Sequence, residues 1–303
     1  MSILVVGSVA LDYLETPFGK LDNALGGSAT FVSISASYFS RDVLFVGIVG
    51  GDFPDEHIRY FESRGIKLDG LVRVPEGKTF SWGGRYHDDM NTRDTLYTEL
   101  GVFETFQPEI PQAWRDTDIV VLGNIHPSLQ LHVLDQIRTR KLVICDTMNL
   151  WISISLDQLI ETIRRVDVLI LNDQEAKQLT GKSNVVSAGK AILGMGPSRV
   201  VIKKGEHGAL LMADNMIFSA PAFPLEHIKD PTGAGDSFAG GFAGWLARDG
   251  DVSIDNLKRA VIAGSTMASF CVEEFSIGGL RALDESRIAM RYRAFHVLSQ
   301  FEP

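Results

Sequence analysis

Two cysteines in 303 residues are too few for a disulfide framework. Cys145 and Cys271 each stand inside an apolar run, VIC and ASFCV, where a buried free thiol is the expected state. Positive charge is scarce too: 29 Lys and Arg face 38 Asp and Glu, a formal charge of −9. That balance argues against nonspecific nucleic-acid binding and against attraction to an anionic membrane, which both need surplus Lys and Arg. No window approaches the roughly 20 apolar residues of a membrane-spanning helix. The opening MSILVVGSVALDYLE has no basic start and meets Asp12 after a short apolar stretch, so it reads as a first strand, not a signal peptide. The expected compartment is the cytoplasm. The first strand is followed by GSVALD in place of the dinucleotide fingerprint G-x-G-x-x-G, and no G-x-x-x-x-G-K-[ST] occurs in the chain.

What the chain does contain is an ordinary globular balance, 45% hydrophobic and 22% charged, enough for a large core. Short β-branched apolar runs at 3–7, 43–49, 119–123, 142–146, 168–172 and 200–204 read as strands buried on both faces. Helical spacing fills 29–39, 56–64, 129–138, 156–164 and 173–180. The alternation predicts an α/β fold, a doubly wound and mostly parallel sheet with helices on both faces. Ligands of such sheets bind beyond the carboxyl ends of the strands. From 71 to about 106 the rhythm breaks into a polar, aromatic, Gly-studded stretch whose alternation suits exposed strands. One domain over 1–303 is expected, with 71–106 and parts of 10–25 forming a small inserted β lid.

The densest chemistry lies in DPTGAGDSFAGGF, residues 230–242. Gly233, Ala234 and Gly235 stand at an expected helix start, where unpaired N–H groups and the helix dipole attract anions. Asp236, inside that electropositive turn, suits a general base that takes a proton from an attacking hydroxyl. The blander alternative is a loop with an Asp cap.

This stretch resembles the C-terminal signature of the PfkB, or ribokinase-like, carbohydrate and nucleoside kinases, D-x-T-G-A-G-D followed by S/A-F-x-x-G-F. The resemblance extends over nearly the whole chain. It implies a ribokinase-like fold and ATP-dependent transfer of the γ-phosphoryl group to a hydroxymethyl group of a small sugar or ribonucleoside. Asp236 would be the base, and the amides of Gly233, Ala234 and Gly235 the anion hole. Asn172 and Glu175 in NDQE match N-x-x-E, the element that organises Mg²⁺ and phosphate, with Glu175 the metal-facing carboxylate. Lys204, Gly205 and Gly208 in KGEHG resemble the nucleotide-contacting turn, with Thr232 beside it, and 263–269 resembles the helix lining the adenine pocket. ATP and Mg²⁺ are the implied cofactors, with a monovalent cation such as K⁺ as a further candidate.

On the acceptor side the resemblance assigns Asp12 to acceptor hydroxyls, and Gly26 and Gly27 to close backbone approach. The chain departs from the pattern where the family commonly has Asn: Phe31 stands there. It departs again at 146–151, DTMNLW, which lacks the arginine of Asp-x-Asn-x-Arg. Phe80, Trp82, Tyr86 and His87 read as an aromatic stripe on the lid, which together with Phe31 would favour a base-bearing acceptor. The same stripe also suits packing or a homodimer through the lid. His126, at a strand end, is a weaker candidate for acceptor contact. The alternative to an enzyme is a nonenzymatic sugar- or nucleotide-sensing protein on the same fold, which would have no need of Asp236.

Overall fold

The computed structural model describes residues 1–300. Its strands in chain order are β1 (Ile3–Val6), β2 (Ala10–Thr16), β3 (Gly19–Gly26), β4 (Val43–Gly50), β5 (Ile66–Val74), β6 (Ser81–Tyr86) and β7 (Arg93–Glu99). They continue as β8 (Ile119–Leu122), β9 (Leu142–Asp146), β10 (Val168–Asn172), β11 (Arg199–Lys203), β12 (Ala209–Ala213) and β13 (Met216–Ala220). One sheet runs β13-β12-β11-β10-β9-β8-β1-β4-β5. It is parallel from β5 to β11 and closes with an antiparallel hairpin. The second sheet is β3-β2-β6-β7.

The expected strands are present because their apolar residues serve two cores at once. Ile3 and Val5 belong to one hydrophobic cluster and Leu4 and Val6 to the other, so successive side chains point into opposite helical layers. One layer contains the helices Ser28–Ala36, Ala234–Asp249 and Ile254–Cys271. Small residues draw these three together: a side chain at Gly240 would strike the Val32 carbonyl, and Gly241 faces Ala263 and Gly264. Ala263 and Gly264 are therefore helix-packing residues. That packing fixes where helix Ala234–Asp249 begins.

The 71–106 segment differs from expectation at both ends. Residues through Val74 remain in the main sheet, since β5 pairs in parallel with β4 as far as Gly50–Val74. Beyond β7 the chain returns to the body, with Val102 and Phe106 buried in its core. The part that leaves the body is β6 and β7, joined to β2 and β3 from the N-terminal stretch. No helix among the described residues is long and apolar enough to cross a membrane.

Candidate active site

The carboxyl ends of β9, β10 and β11 carry Asp146, Asn172 and Lys203 in a row, since Asn172 pairs with Lys203 and Ile170 with Asp146. The 230–236 turn stands against this row. Gly233 caps helix Ala234–Asp249 at φ 76°, a left-handed conformation that suits glycine, and any side chain there would run into the Phe31 ring. Phe31 is 1% exposed. It is a floor beneath the turn, and the stacking surface expected of it is absent.

Of the three amides expected to bind an anion, that of Ala234 is turned back on the Pro231 carbonyl at 3.2 Å. The N–H groups of Gly233 and Gly235 have no acceptor among the described residues. Asp230, fully buried, shapes the turn by accepting from the Thr232 N–H at 2.9 Å and the Ser276 N–H at 2.9 Å. Asp236 follows on the first helical turn. Burial, with the Asp146 charge beside it, pushes its carboxyl up to about 7, against the opposing pull of Lys203 and Arg93. A carboxyl poised there is ionised for a substantial fraction of the time at neutral pH, as a general base requires.

Asn172 and Glu175 form a reciprocal capping box on helix Asp173–Thr180. Asn172 Oδ1 accepts from the Glu175 N–H at 2.8 Å, and Glu175 Oε2 accepts from the Asn172 N–H at 2.7 Å. Glu175 is 8% exposed, and burial lifts it to about 7 while Lys203 pulls it down. No group of three His, Cys, Asp or Glu suited to a metal exists among the described residues. Glu175 offers an oxygen donor of the kind hard divalent ions take. The Lys204–Gly208 turn is closed by the Lys204 N–H donating to the Gly208 carbonyl at 2.7 Å, with Gly205 at φ 54° and Gly208 at φ 80°. Asn91, on the loop between β6 and β7, lies over Gly205.

The second sheet supplies the opposite wall. Asp12 on β2 is 5% exposed and accepts from the Trp82 N–H at 3.0 Å. Burial, with a contribution from Asp230, raises it to about 7. Gly26 leaves room for that carboxylate, and Gly27, at φ 93°, turns the chain into helix Ser28–Ala36. The expected aromatic stripe is divided among separate contacts. Phe80 packs on Phe103, Trp82 lies under Arg93 and donates to Thr95, and His87 is exposed against Asp94. Tyr86 is buried, and its hydroxyl accepts from Thr232 Oγ1 at 3.1 Å, which ties this sheet directly to the Gly233 turn. His126 caps helix Pro127–Gln136 and has both ring nitrogens engaged, with Ser128 and Ser155. It is a structural histidine.

Of the groups gathered here, Lys203 is not singled out by sequence patterning, while Asp146 enters there only through the DTMNLW departure and Tyr86 only through the aromatic stripe. Lys203 falls inside the 200–204 run, next to the lysine that ends it, and Asp146 ends the 142–146 run. Tyr86 and Arg93 lie about 140 to 150 residues before the turn they face.

The family model for "pfkB family carbohydrate kinase" matches residues 2–280. A cytidine kinase of Thermococcus kodakarensis is 32% identical over 253 residues, covering 82% of this chain and 89% of that protein. A nucleoside kinase of Methanothermobacter thermautotrophicus is 28% identical, covering 90% of this chain and 89% of its own length. Among solved structures, the Methanocaldococcus jannaschii nucleoside kinase, described as an archaeal member of the ribokinase family, superposes with TM-score 0.77 at 20% identity, covering 97% of this chain and 99% of that one. A Burkholderia thailandensis nucleoside kinase in complex with inosine also gives 0.77, at 18% identity and 97% of both chains. With the signature turn, its aspartate and the ribokinase fold all in place, the chain belongs to the pfkB family of carbohydrate kinases and is an enzyme of the sugar and nucleoside kinase type.

Proposed function

We propose that the protein transfers the γ-phosphoryl group of ATP to the hydroxymethyl oxygen of a ribonucleoside, with cytidine the first candidate. The observation that carries the acceptor class is the 32% identity with a cytidine kinase over 82% of the chain. It does not rest on Phe31 or on an aromatic stripe. Kinases of free sugars are also among the relatives, a Salmonella typhi deoxyribokinase at 28% identity and a Lactococcus lactis ribokinase at 23%, both below the cytidine kinase.

In this proposal Asp12 and the Gly26–Gly27 backbone hold acceptor hydroxyls, and the attacking oxygen lies between Asp12 and Asp236. Asp236 takes its proton. The Gly233 and Gly235 N–H groups face the oxygens of the transferred group, where charge spreads during an in-line displacement. Mg²⁺ carried on the phosphates would neutralise part of that charge, beside Glu175. Its presence also answers an electrostatic difficulty, because three carboxyls, Asp146, Glu175 and Asp236, surround one ammonium, Lys203. The Asn172–Glu175 and Lys204–Gly208 turns and Thr232 border the nucleotide. The second sheet acts as a lid that excludes water, which would otherwise hydrolyse ATP. A second copy would dock on the outer surface of that sheet, which leaves Phe18, Leu96 and Tyr97 exposed. The enzyme works in the cytoplasm, where ATP is supplied and where Cys145 and Cys271, both buried, stay as thiols.

Comparing kcat/KM for cytidine, adenosine, inosine, ribose and fructose tests the acceptor. A nucleoside is expected to lead. A free sugar ahead of every nucleoside by more than about tenfold, roughly 1.4 kcal/mol of transition-state preference, would overturn it.

A further inference from the structure

We propose that Lys203 is a side-chain member of the anion site: its ammonium contacts the terminal phosphoryl group of the nucleotide, and Asp146 holds it in position. This rests on the reading of the protein as an ATP-dependent kinase and adds two residues to its machinery.

Lys203 and Asp146 form an ion pair at 3.2 Å, with side chains only 19% and 7% exposed. Taking both charges out of water costs several kcal/mol per ion, and for stability alone an apolar pair would serve as well. An ion pair buried at a mouth where phosphates bind has a different use. The pair is not a random surface contact. Asp146 is held by its own backbone, since Oδ1 accepts the Thr147 N–H at 2.9 Å, and Oδ2 is left to take the ammonium. Gln130 donates to the Asp146 carbonyl and steadies the strand end.

The direction of the ammonium is given by Gly235. A Cβ built on that residue would lie 2.7 Å from Lys203 Nζ, so the ammonium occupies the space a side chain would fill. Gly235 immediately precedes Asp236, so the positive charge stands beside the proposed base and the turn proposed to face the transferred group. An ammonium has three N–H donors. The bond to Asp146 is the one hydrogen bond the Lys203 ammonium makes among the described residues, so two donors remain for a ligand. Lysine is a compact point charge of the kind that binds phosphate in other kinase sites. Asp146, acting through Lys203, is a positioning residue.

The test compares ADP with a nonhydrolysable ATP analogue, both with Mg²⁺, by isothermal titration, alongside steady-state kinetics. For Lys203→Met the analogue should bind at least about tenfold more weakly, ADP should change less than about twofold, and kcat should fall about a hundredfold. Lys203→Arg should recover part of both losses. Asp146→Asn should reproduce the pattern at about a tenth of its size, with Asp146→Glu restoring some of it. Equal weakening of ADP and analogue, or kcat within threefold of wild type, overturns the proposal. If Lys203→Met does not fold, an unchanged analogue-to-ADP ratio in both Lys203→Arg and Asp146→Asn overturns it equally. Wild-type protein that binds neither nucleotide overturns the kinase reading itself, and this proposal with it.

Discussion

The two sheets are built on opposite principles. In the main sheet every residue of β1, β4, β8 and β9 is buried, and the strands are held by apolar contact on both faces. In the second sheet all seven residues of the edge strand β7 are exposed, and β3 is exposed over half its length. It meets the body through Leu11 and Leu25, which join one of the two cores, and through polar contacts such as Tyr86 with Thr232. The more buried sheet carries the proposed phosphoryl chemistry, whereas the less embedded one carries Asp12, the carboxylate proposed to hold the acceptor. Such a division lets a site open for the acceptor without disturbing the catalytic turn.

The sharpest way to separate the two is to remove the body's proposed base. Asp236→Asn should lower kcat about 10²- to 10⁴-fold while acceptor and nucleotide still bind. A variant with more than a tenth of wild-type kcat excludes Asp236 as base. The same change should make the ligand-free protein more stable at pH 8. Asp12, Glu175 and Asp236 all titrate near 7 in the fold, well above their ordinary range. A carboxyl whose folded pKa is raised contributes stability below its unfolded pKa, near 4, and loses that contribution as pH rises through about 7. The wild-type Tm should therefore fall between pH 5 and pH 8, and Asp236→Asn should flatten that fall by a few degrees, roughly 2–4 °C per kcal/mol. A steeper fall in the variant contradicts the assignment of charge.

The next largest contrast is in exchange. Amides of residues 81–99 should exchange far faster than those of Leu142–Asp146 in the free protein, and should slow when acceptor and a nonhydrolysable ATP analogue are added together. Equal exchange in free and ternary states rules out the lid.

Legibility in the sequence follows the same division. The parallel strands are visible because burial on both faces leaves near-continuous apolar runs, as in ILVV and LVICD. The Gly233–Asp236 turn is visible because its residues are contiguous. Tyr86 is not, since its meaning depends on Thr232, 146 positions away, and alternation alone assigned it to a stripe with Phe80 and Trp82. Phe31 misled for a related reason. A residue standing where an amide is usual suggests a substituted contact, yet its ring lies under Gly233. Lys203 was hidden by position, because a lysine that ends a strand looks like a solvent boundary until Asp146 from two strands away is brought to 3.2 Å.

The smallest effect probes the join between the two regions. Tyr86 brings a buried phenol from the second sheet to the hydroxyl of Thr232, one residue before Gly233. Removing the phenol oxygen takes away an acceptor and leaves the Thr232 donor without its partner in the closed arrangement, a cost of about 1 kcal/mol. The penalty falls on closure and not on the open state, so Tyr86→Phe should lower kcat/KM for the acceptor by about fivefold to tenfold. Nucleotide affinity without acceptor should fall less than the acceptor's kcat/KM, because the phenol meets the nucleotide border at Thr232 alone. Thr232→Val removes the stranded donor at nearly constant shape, so the double variant should lose less than the two single losses combined. Strict additivity, or an equal loss of nucleotide affinity in the absence of acceptor, means that the bond does not couple the sheets and that the second sheet closes by packing alone.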